Sequence, residues 1–318
     1  MPSPTLPGDI EKLIGEFLDY LAVERGSSPL TLRNYKHYLH RFCSWTNEHS
    51  VSSVSDISPQ IVQDYRVYLS QLTDPKGKTL SRKTQGYHAI ALRSFLKYLS
   101  RMDYSVMAAD KIELPKIPER QIQFMTGDTI DRLLNAPSLS TIGGKRDKAI
   151  LELFFSTGLR VSELTHLNRD DIDFDRREFG ITGKGGKARV VFLSSRAAEW
   201  LKLYTQARKD HYKPLFIRHR GTIDAATADE SVRLTPRSVQ RLVKKYSRKV
   251  KIPLHVTPHS IRHAYATDLL IAGADIRSVQ EMLGHKNIAT TQIYTHVTNK
   301  HLKEIHEKYH GGSNGQKS

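Results

Sequence analysis

Apolar positions recur at helical intervals through the first third of the chain. Ile10, Leu13, Ile14, Phe17, Leu18 and Leu21 fall on one face of a helix that ends near Gly26. Leu32, Tyr35, Leu39 and Phe42 mark a second helix. The text SPQIVQDYRVYLSQL predicts a third, with Ser58 as its cap and Pro59 in its first turn. After the turn-rich TDPKGKT comes a fourth helix, about Ser81 to Arg101, with Ile90, Phe95, Leu96 and Leu99 expected on its apolar side. Four amphipathic helices of this kind bury one another in a compact bundle.

The pattern breaks at ELPKIPERQIQFMT, where two prolines and mixed charge oppose both helix and paired strand. We read residues 113–126 as a linker between a helical domain, 1–112, and a second domain, 127–311, with a disordered-looking tail at 312–318. In the second domain Thr126 caps DTIDRLLNA, and a longer helix is expected from about Lys145 to Ser156, stopped at Thr157-Gly158. Arg160 then opens a short helix with Glu163 one turn later. The alternating text IDFDRREFGITGKGGKARVVFLS predicts two strands around a tight turn that holds Lys184. A polar loop, HRGTIDAATADESV, carries no chemistry that can be named. Beyond it, Thr257-Pro258 caps a helix carrying His259 and Arg262, and Asp275 to about Leu283 forms another, stopped by Gly284 just before His285. Asn287 caps a third helix that carries Tyr294, and NKHLKEIHEKY is the last.

Charge narrows the class of partner. Lys and Arg total 49 against 33 Asp and Glu, a formal net charge of +16, which calls for a polyanion. Nucleic acid leads, because phosphate neutralisation supplies most non-specific affinity. An anionic membrane surface is the rival, but no apolar run approaches the roughly 18–20 residues that span a bilayer, and MPSPTLPGDIEKL has neither the basic nor the apolar part of a secretory signal. The single cysteine, Cys43, excludes an internal disulfide, fits a reducing cytoplasm and reads as a small buried residue. The segment Arg233 to Lys251 holds eight Lys or Arg and no carboxylate. It predicts a helix after Thr235 whose Arg237, Arg241, Lys244 and Lys245 favour groove or phosphate contact over ordinary solvation. Arg82 and Lys83, opening the fourth helix, are candidates for the same contact, with a solvated face as the alternative.

The candidate chemistry lies between His259 and Tyr294, where His259, Arg262, His285 and Tyr294 sit on or beside short helices joined by Gly-containing turns. Donors gathered near one phenol suit a site that holds a dianionic, five-coordinate phosphorus while tyrosine attacks it. Each residue also has a plainer reading. Tyr294, one of 14 tyrosines, alone would be a packing residue. His285 after a helix-ending glycine would satisfy carbonyls, Arg160 would pair with Glu163, and Lys184 would solvate a hairpin. Glu163 fits the orientation of an arginine better than contact with substrate. Other patterns fail: GITGKGGKA has glycine where a phosphate loop needs its lysine, and Cys43 has no CxxC partner, so no metal or nucleotide cofactor is expected. His166, His211, His219, His296, His301, His306 and His310 read as surface or cap residues.

Taken together, Arg160, Lys184, His259, Arg262, His285 and Tyr294 resemble, in type and order, the active-site set of the tyrosine recombinase (phage integrase) family. The local text agrees: TGLRVSEL, TGKGGKAR, PHSIRHAYAT and LGHKNIATTQIYTH. Within the family the chain is most similar to Xer-type site-specific recombinases. The resemblance implies a mainly α architecture with a small β-sheet: an N-terminal four-helix SAM-like core-binding domain and a C-terminal α+β catalytic domain closing as a C-shaped clamp on DNA. It implies that Arg160 and Arg262 hold the non-bridging oxygens, that His285 donates to them, that His259 takes or orients the phenolic proton, and that Lys184 protonates the departing 5′ oxygen. Tyr294 would form a 3′-phosphotyrosyl link, and strand exchange would pass through a Holliday junction without metal or ATP. The implied partners are double-stranded DNA with a short inverted-repeat site, a homo-tetramer or a hetero-tetramer with a second recombinase, and a host activator. Chromosome or plasmid dimer resolution is expected in the cytoplasm, at the nucleoid; compactness before Ile10 sets this above integration of a mobile element. A non-cleaving DNA-binding accessory protein and a type IB topoisomerase or telomere resolvase are the alternatives.

Overall fold

A computed structural model describes residues 9–74, 77–115, 125–183, 188–221 and 228–284. The chain divides into two compact units, Met1–Arg120 and Gln121–Ser318. Among the described residues no helix is long and apolar enough to cross a membrane.

The first unit contains α1 (Asp9–Val23), α2 (Pro29–Glu48), α3 (Pro59–Gln71) and α4 (Arg82–Arg101). Serine starts three of them: Ser28, Ser58 and Ser81 each accept a hydrogen bond from the backbone N–H three residues on, which satisfies a donor the helix itself cannot. Their apolar stripes meet in one core, where Phe95, Leu96 and Leu99 are fully buried and the ring of Phe17 lies 5.6 Å from that of Phe95. Cys43 is buried there too. Ile90 is not: it stands 37% exposed. At 100° per residue it falls nearly opposite the seam of Leu92, Phe95, Leu96 and Leu99, so its place on the apolar side is corrected by helical phase.

The second unit is built around α6 (Ile142–Thr157), flanked by α5 (Gly127–Leu134) and α8 (Ser195–Ala207). Helix α6 begins three residues before the expected Lys145. Thr141 caps it by accepting from the Gly144 N–H, and a Cβ on Gly144 would lie 1.7 Å from the Ser138 carbonyl oxygen, so only glycine fits beneath that loop. Ile150, Leu151, Leu153 and Phe154 are fully buried. Burial extends to the charges of α6, which are therefore paired. Asp147 accepts from Arg146 and from the Tyr246 hydroxyl at 2.8 Å; Lys148 meets Glu152 at 2.7 Å, and Glu152 also takes Arg196 at 2.8 Å.

The remaining elements are α7 (Val161–His166), strands β1 (Glu178–Thr182) and β2 (Ala188–Phe192), α9 (Ala228–Val232), α10 (Pro236–Lys249), α11 (Pro258–Ile271) and α12 (Ile276–Leu283). The strands pair antiparallel with Phe179 opposite Val191, both buried, while Val190 and Phe192 face outward. The turn with Lys184 lies outside the described residues. The end of the expected polar loop is helical: α9 forms where Asp229 and Glu230 stand in a first turn that favours acidic residues. His219, read as a surface residue, is half-buried, and its Nε2 lies 3.3 Å from the Tyr204 hydroxyl.

Helix α6 ends at Gly158, with φ +60°. A Cβ there would stand 2.4 Å from Cδ1 of Tyr265 and 2.9 Å from Cδ2 of Leu283. Gly158→Ala is expected to lower unfolding free energy by at least about 1–3 kcal/mol, the usual cost of a strained backbone conformation. Urea denaturation measures this, and an unchanged midpoint would show that the turn relaxes freely.

Candidate active site

Two helix ends organise the site. A helix leaves its last carbonyls without backbone donors and concentrates partial negative charge there. At the end of α6 the Gly158 carbonyl accepts from Nη1 of Arg262 at 2.6 Å. At the end of α12 the Leu283 carbonyl accepts from Nη2 of the same guanidinium, also at 2.6 Å. Arg262 lies one turn into α11 and is 3% exposed, so it binds both ends from within the protein. The position follows from local sequence: Thr257 caps α11, Pro258 opens it, and the side chains at 259 and 262 emerge about 60° apart around the helix.

Arg160 approaches the same place from α7. It occupies the capping position, its backbone N–H donates to Oε2 of Glu163 at 2.7 Å, and Nη1 donates to Oε1 at 2.8 Å. Nη2 donates to the Gly284 carbonyl at 3.1 Å. The Arg160 side chain is 38% exposed, which makes it the accessible guanidinium of the two. Gly284 adopts φ +65° and ends α12.

His259 stands at the surface, with Nε2 2.9 Å from Nε2 of His263. Partial burial, then the guanidiniums of Arg262 and Arg160, hold its pKa below the ordinary imidazole value of 6.5. It is therefore neutral near pH 7 and able to accept a proton. Arg160, His259 and Arg262 are thus brought together from α7 and α11. Lys184, His285 and Tyr294 lie outside the described residues.

Glu163 does more than the sequence indicates. Besides Arg160 it accepts Nη1 and Nη2 of Arg189 at 3.1 and 3.0 Å, and its side chain is only 8% exposed. Arg189 was visible as the final letter of TGKGGKAR, but nothing in the spacing tied it to a glutamate 26 residues away.

The basic candidates occupy separate surfaces of the two units. Arg237, Arg241, Lys244 and Lys245 are exposed on α10, opposite a buried face of Val239, Leu242, Val243 and Tyr246. In the first unit Arg82 lines a cavity of about 340 Å³ with Arg66, Gln85 and Pro115, and Lys83 lies over the Tyr87 ring at 5.9 Å. Helix α2 adds a basic row that the sequence reading missed: Lys36, His37, His40 and Arg41 line a groove of about 460 Å³ with Ser44 and Trp45. The spacing of two adjacent pairs four residues apart would have revealed it.

Comparison with known proteins places these features. The model of the Phage integrase family matches residues 123–301, and that of the phage integrase N-terminal SAM-like domain matches residues 14–102. Tyrosine recombinase XerC of Oceanobacillus iheyensis is 34% identical, over 97% of this chain and 99% of that protein. Tyrosine recombinase XerD of Lacticaseibacillus casei is 35% identical, over 94% and 98%. Among solved structures, XerH site-specific recombinase bound to a palindromic difH substrate is similar in fold, with a TM-score of 0.73 at 19% identity over 96% of this chain and 98% of that one. XerA recombinase gives 0.51 at 27% identity over 94% and 98%.

Burial raises the Glu163 carboxyl pKa, but hydrogen bonds from Arg189 and then Arg160 outweigh it and leave the value below the ordinary 4.5. A depressed carboxylate contributes stability above its unfolded pKa and loses it as pH falls through the folded pKa. Glu163→Gln is expected to cost about 3–5 kcal/mol at pH 7, since it strands two partly buried guanidiniums. The penalty should shrink as pH drops below 4.5. Urea denaturation across that range checks both parts, and a penalty independent of pH would sink the assignment.

Proposed function

The chain belongs to the phage integrase family as an Xer-like tyrosine recombinase, and on that premise we propose that it cuts and rejoins DNA through a 3′-phosphotyrosyl bond formed by Tyr294. The observation that carries the proposal is the meeting of Arg160, Arg262 and His259 around the ends of α6 and α12. A phosphodiester carries one negative charge, and attack by a phenolate adds a second on the non-bridging oxygens. Two guanidiniums fixed in orientation stabilise that second charge more than the first, which is the condition for lowering the barrier. A guanidinium has five N–H groups, so it can keep a backbone carbonyl and still turn an edge toward phosphate.

In the proposed step the Tyr294 oxygen bonds to phosphorus, its proton passes to neutral His259, and the bond from phosphorus to the 5′ oxygen breaks. Lys184 gives that oxygen its proton, and His285 donates to a non-bridging oxygen. The phosphotyrosyl ester keeps the energy of the broken bond, so a free 5′ hydroxyl on another strand reverses the chemistry and joins a new partner without ATP. We assign residues 1–112 to a core-binding domain, 113–126 to a linker and 127–311 to the catalytic domain. Exposed Arg237, Arg241, Lys244 and Lys245, with Arg82 and Lys83, would hold the duplex. The substrate we infer is a short inverted-repeat DNA site, consistent with the palindromic substrate of XerH, with one protomer on each half-site and a tetramer joining two sites, and the role is resolution of chromosome or plasmid dimers.

A nicked suicide duplex carrying the site tests the nucleophile. Wild-type protein should accumulate a covalent adduct, visible on a denaturing gel and mapped to Tyr294, and Tyr294→Phe should form none. An adduct from Tyr294→Phe refutes the assignment, and a wild type that binds the duplex without forming an adduct would make the protein an accessory DNA binder. A second measurement concerns α10: Arg241→Ala and Lys244→Ala should each reduce the slope of log affinity against log salt by about 1 on any duplex. An unchanged slope would place α10 away from the phosphates.

A further inference from the structure

We propose that Arg189 is a positioning residue for strand cleavage, acting through Glu163 on Arg160; this rests on the reading of Arg160 as a phosphate ligand. Four hydrogen bonds converge on the Glu163 carboxylate. Oε1 takes Nη1 of Arg160 at 2.8 Å and Nη1 of Arg189 at 3.1 Å, and Oε2 takes the Arg160 backbone N–H at 2.7 Å and Nη2 of Arg189 at 3.0 Å. A carboxylate offers about four lone-pair sites, so Glu163 is saturated and has none left for substrate. Its work is to hold two guanidiniums in fixed planes.

Charge counting shows what the second guanidinium adds. Arg160 and Glu163 alone form a neutral pair, whose field would do little for an oxyanion. Arg189 returns the trio to a net charge of +1, and its forked grip engages both carboxylate oxygens. The same fork stops Glu163 from rotating, so the Arg160 plane is set by covalent geometry at the end of α7 and by a bidentate brace from β2. Arg189 also packs on the turn that Arg160 binds. A Cβ on Gly284 would lie 2.8 Å from its Nη1 and 3.1 Å from its Cζ, and the Gly284 carbonyl accepts from Arg160. Glycine at 284 thus answers two demands, a left-handed backbone and the flat approach of Arg189. Arg189 lies five residues after Lys184 in the chain, so the strand that follows the lysine is braced to Arg160 through Glu163.

The test separates this role from plain stability by using the charge of the substrate. Full-length wild type, Arg189→Met, Arg189→Lys and Arg160→Ala are each given nicked duplexes with either a phosphate or an uncharged methylphosphonate at the scissile position, and single-turnover adduct formation is timed. Arg189→Met should be about 100-fold slower on phosphate, the usual effect of a small misplacement of a reacting group. It should bind duplex as tightly as wild type and approach the wild-type rate on methylphosphonate, where the second charge never develops. Arg189→Lys, which keeps the charge and loses the fork, should fall between. Equal slowing on both substrates means a structural role only and overturns the proposal, as does a wild-type rate on phosphate. Should Arg189→Met not fold, the comparison of the two substrates with Arg189→Lys decides on the same criterion. Arg160→Ala is the control on the underlying reading: if it cleaves phosphate at the wild-type rate, Arg160 is not the ligand, whatever Arg189 does.

Discussion

Helices α6 and α12 both terminate on glycines in the left-handed conformation, and the carbonyls they leave behind need donors from elsewhere. Arg262 and Arg160 are those donors. This requirement explains why Arg262 sits so deep in the second unit: with Arg160 it closes the ends of two helices that would otherwise carry unsatisfied polar groups. It also fixes their orientation before any substrate arrives. A guanidinium bonded to two helix termini has lost most of its rotamer freedom on folding, so binding phosphate does not have to supply that ordering.

The same economy governs the other buried charges. Asp147, Lys148 and Glu152 on α6 are nearly inaccessible, and each is engaged by named partners from α5, α8 or α10 or by its neighbours on α6. Such pairs add little net stability compared with apolar replacements, but removing one member is costly. They fix which helices can dock on α6, and in what register, and so determine where Gly158 and its carbonyl emerge. The geometry of the candidate site is thus set partly by ion pairs that never touch it.

How much of this was legible beforehand depended on the range of the interaction. Caps and stops are local: Ser58, Thr126 and Thr257 cap helices where residue type and position predicted, and Thr235 caps the helix expected after it. Gly158 and Gly284 stop them as expected. Errors arose where phase or context mattered: Ile90 shares the apolar character of its neighbours but not their face, and α6 starts early because Thr141 supplies a cap and Gly144 the space. The six-residue pattern could be recognised by order and local text, yet the brace between Arg189 and Glu163 could not. Its partners come from α7 and β2, and only tertiary folding puts a strand arginine against a helix carboxylate.

That brace changes the meaning of the Arg160–Glu163 pair. Read from sequence, an arginine and a glutamate three residues apart on a helix suggest a surface ion pair worth little. Read from structure, the glutamate is buried and shared, and its ionised form is favoured because two guanidiniums donate to it. Sharing resolves a conflict inherent in using an arginine for catalysis. A carboxylate is the strongest available device for orienting a guanidinium, but it also cancels the charge that makes the guanidinium useful. A second arginine on the same carboxylate retains the orientation and restores the charge. The cost is two extra buried ions in the second unit, Glu163 and Arg189, and their tolerance there depends on the four hydrogen bonds that satisfy the carboxylate.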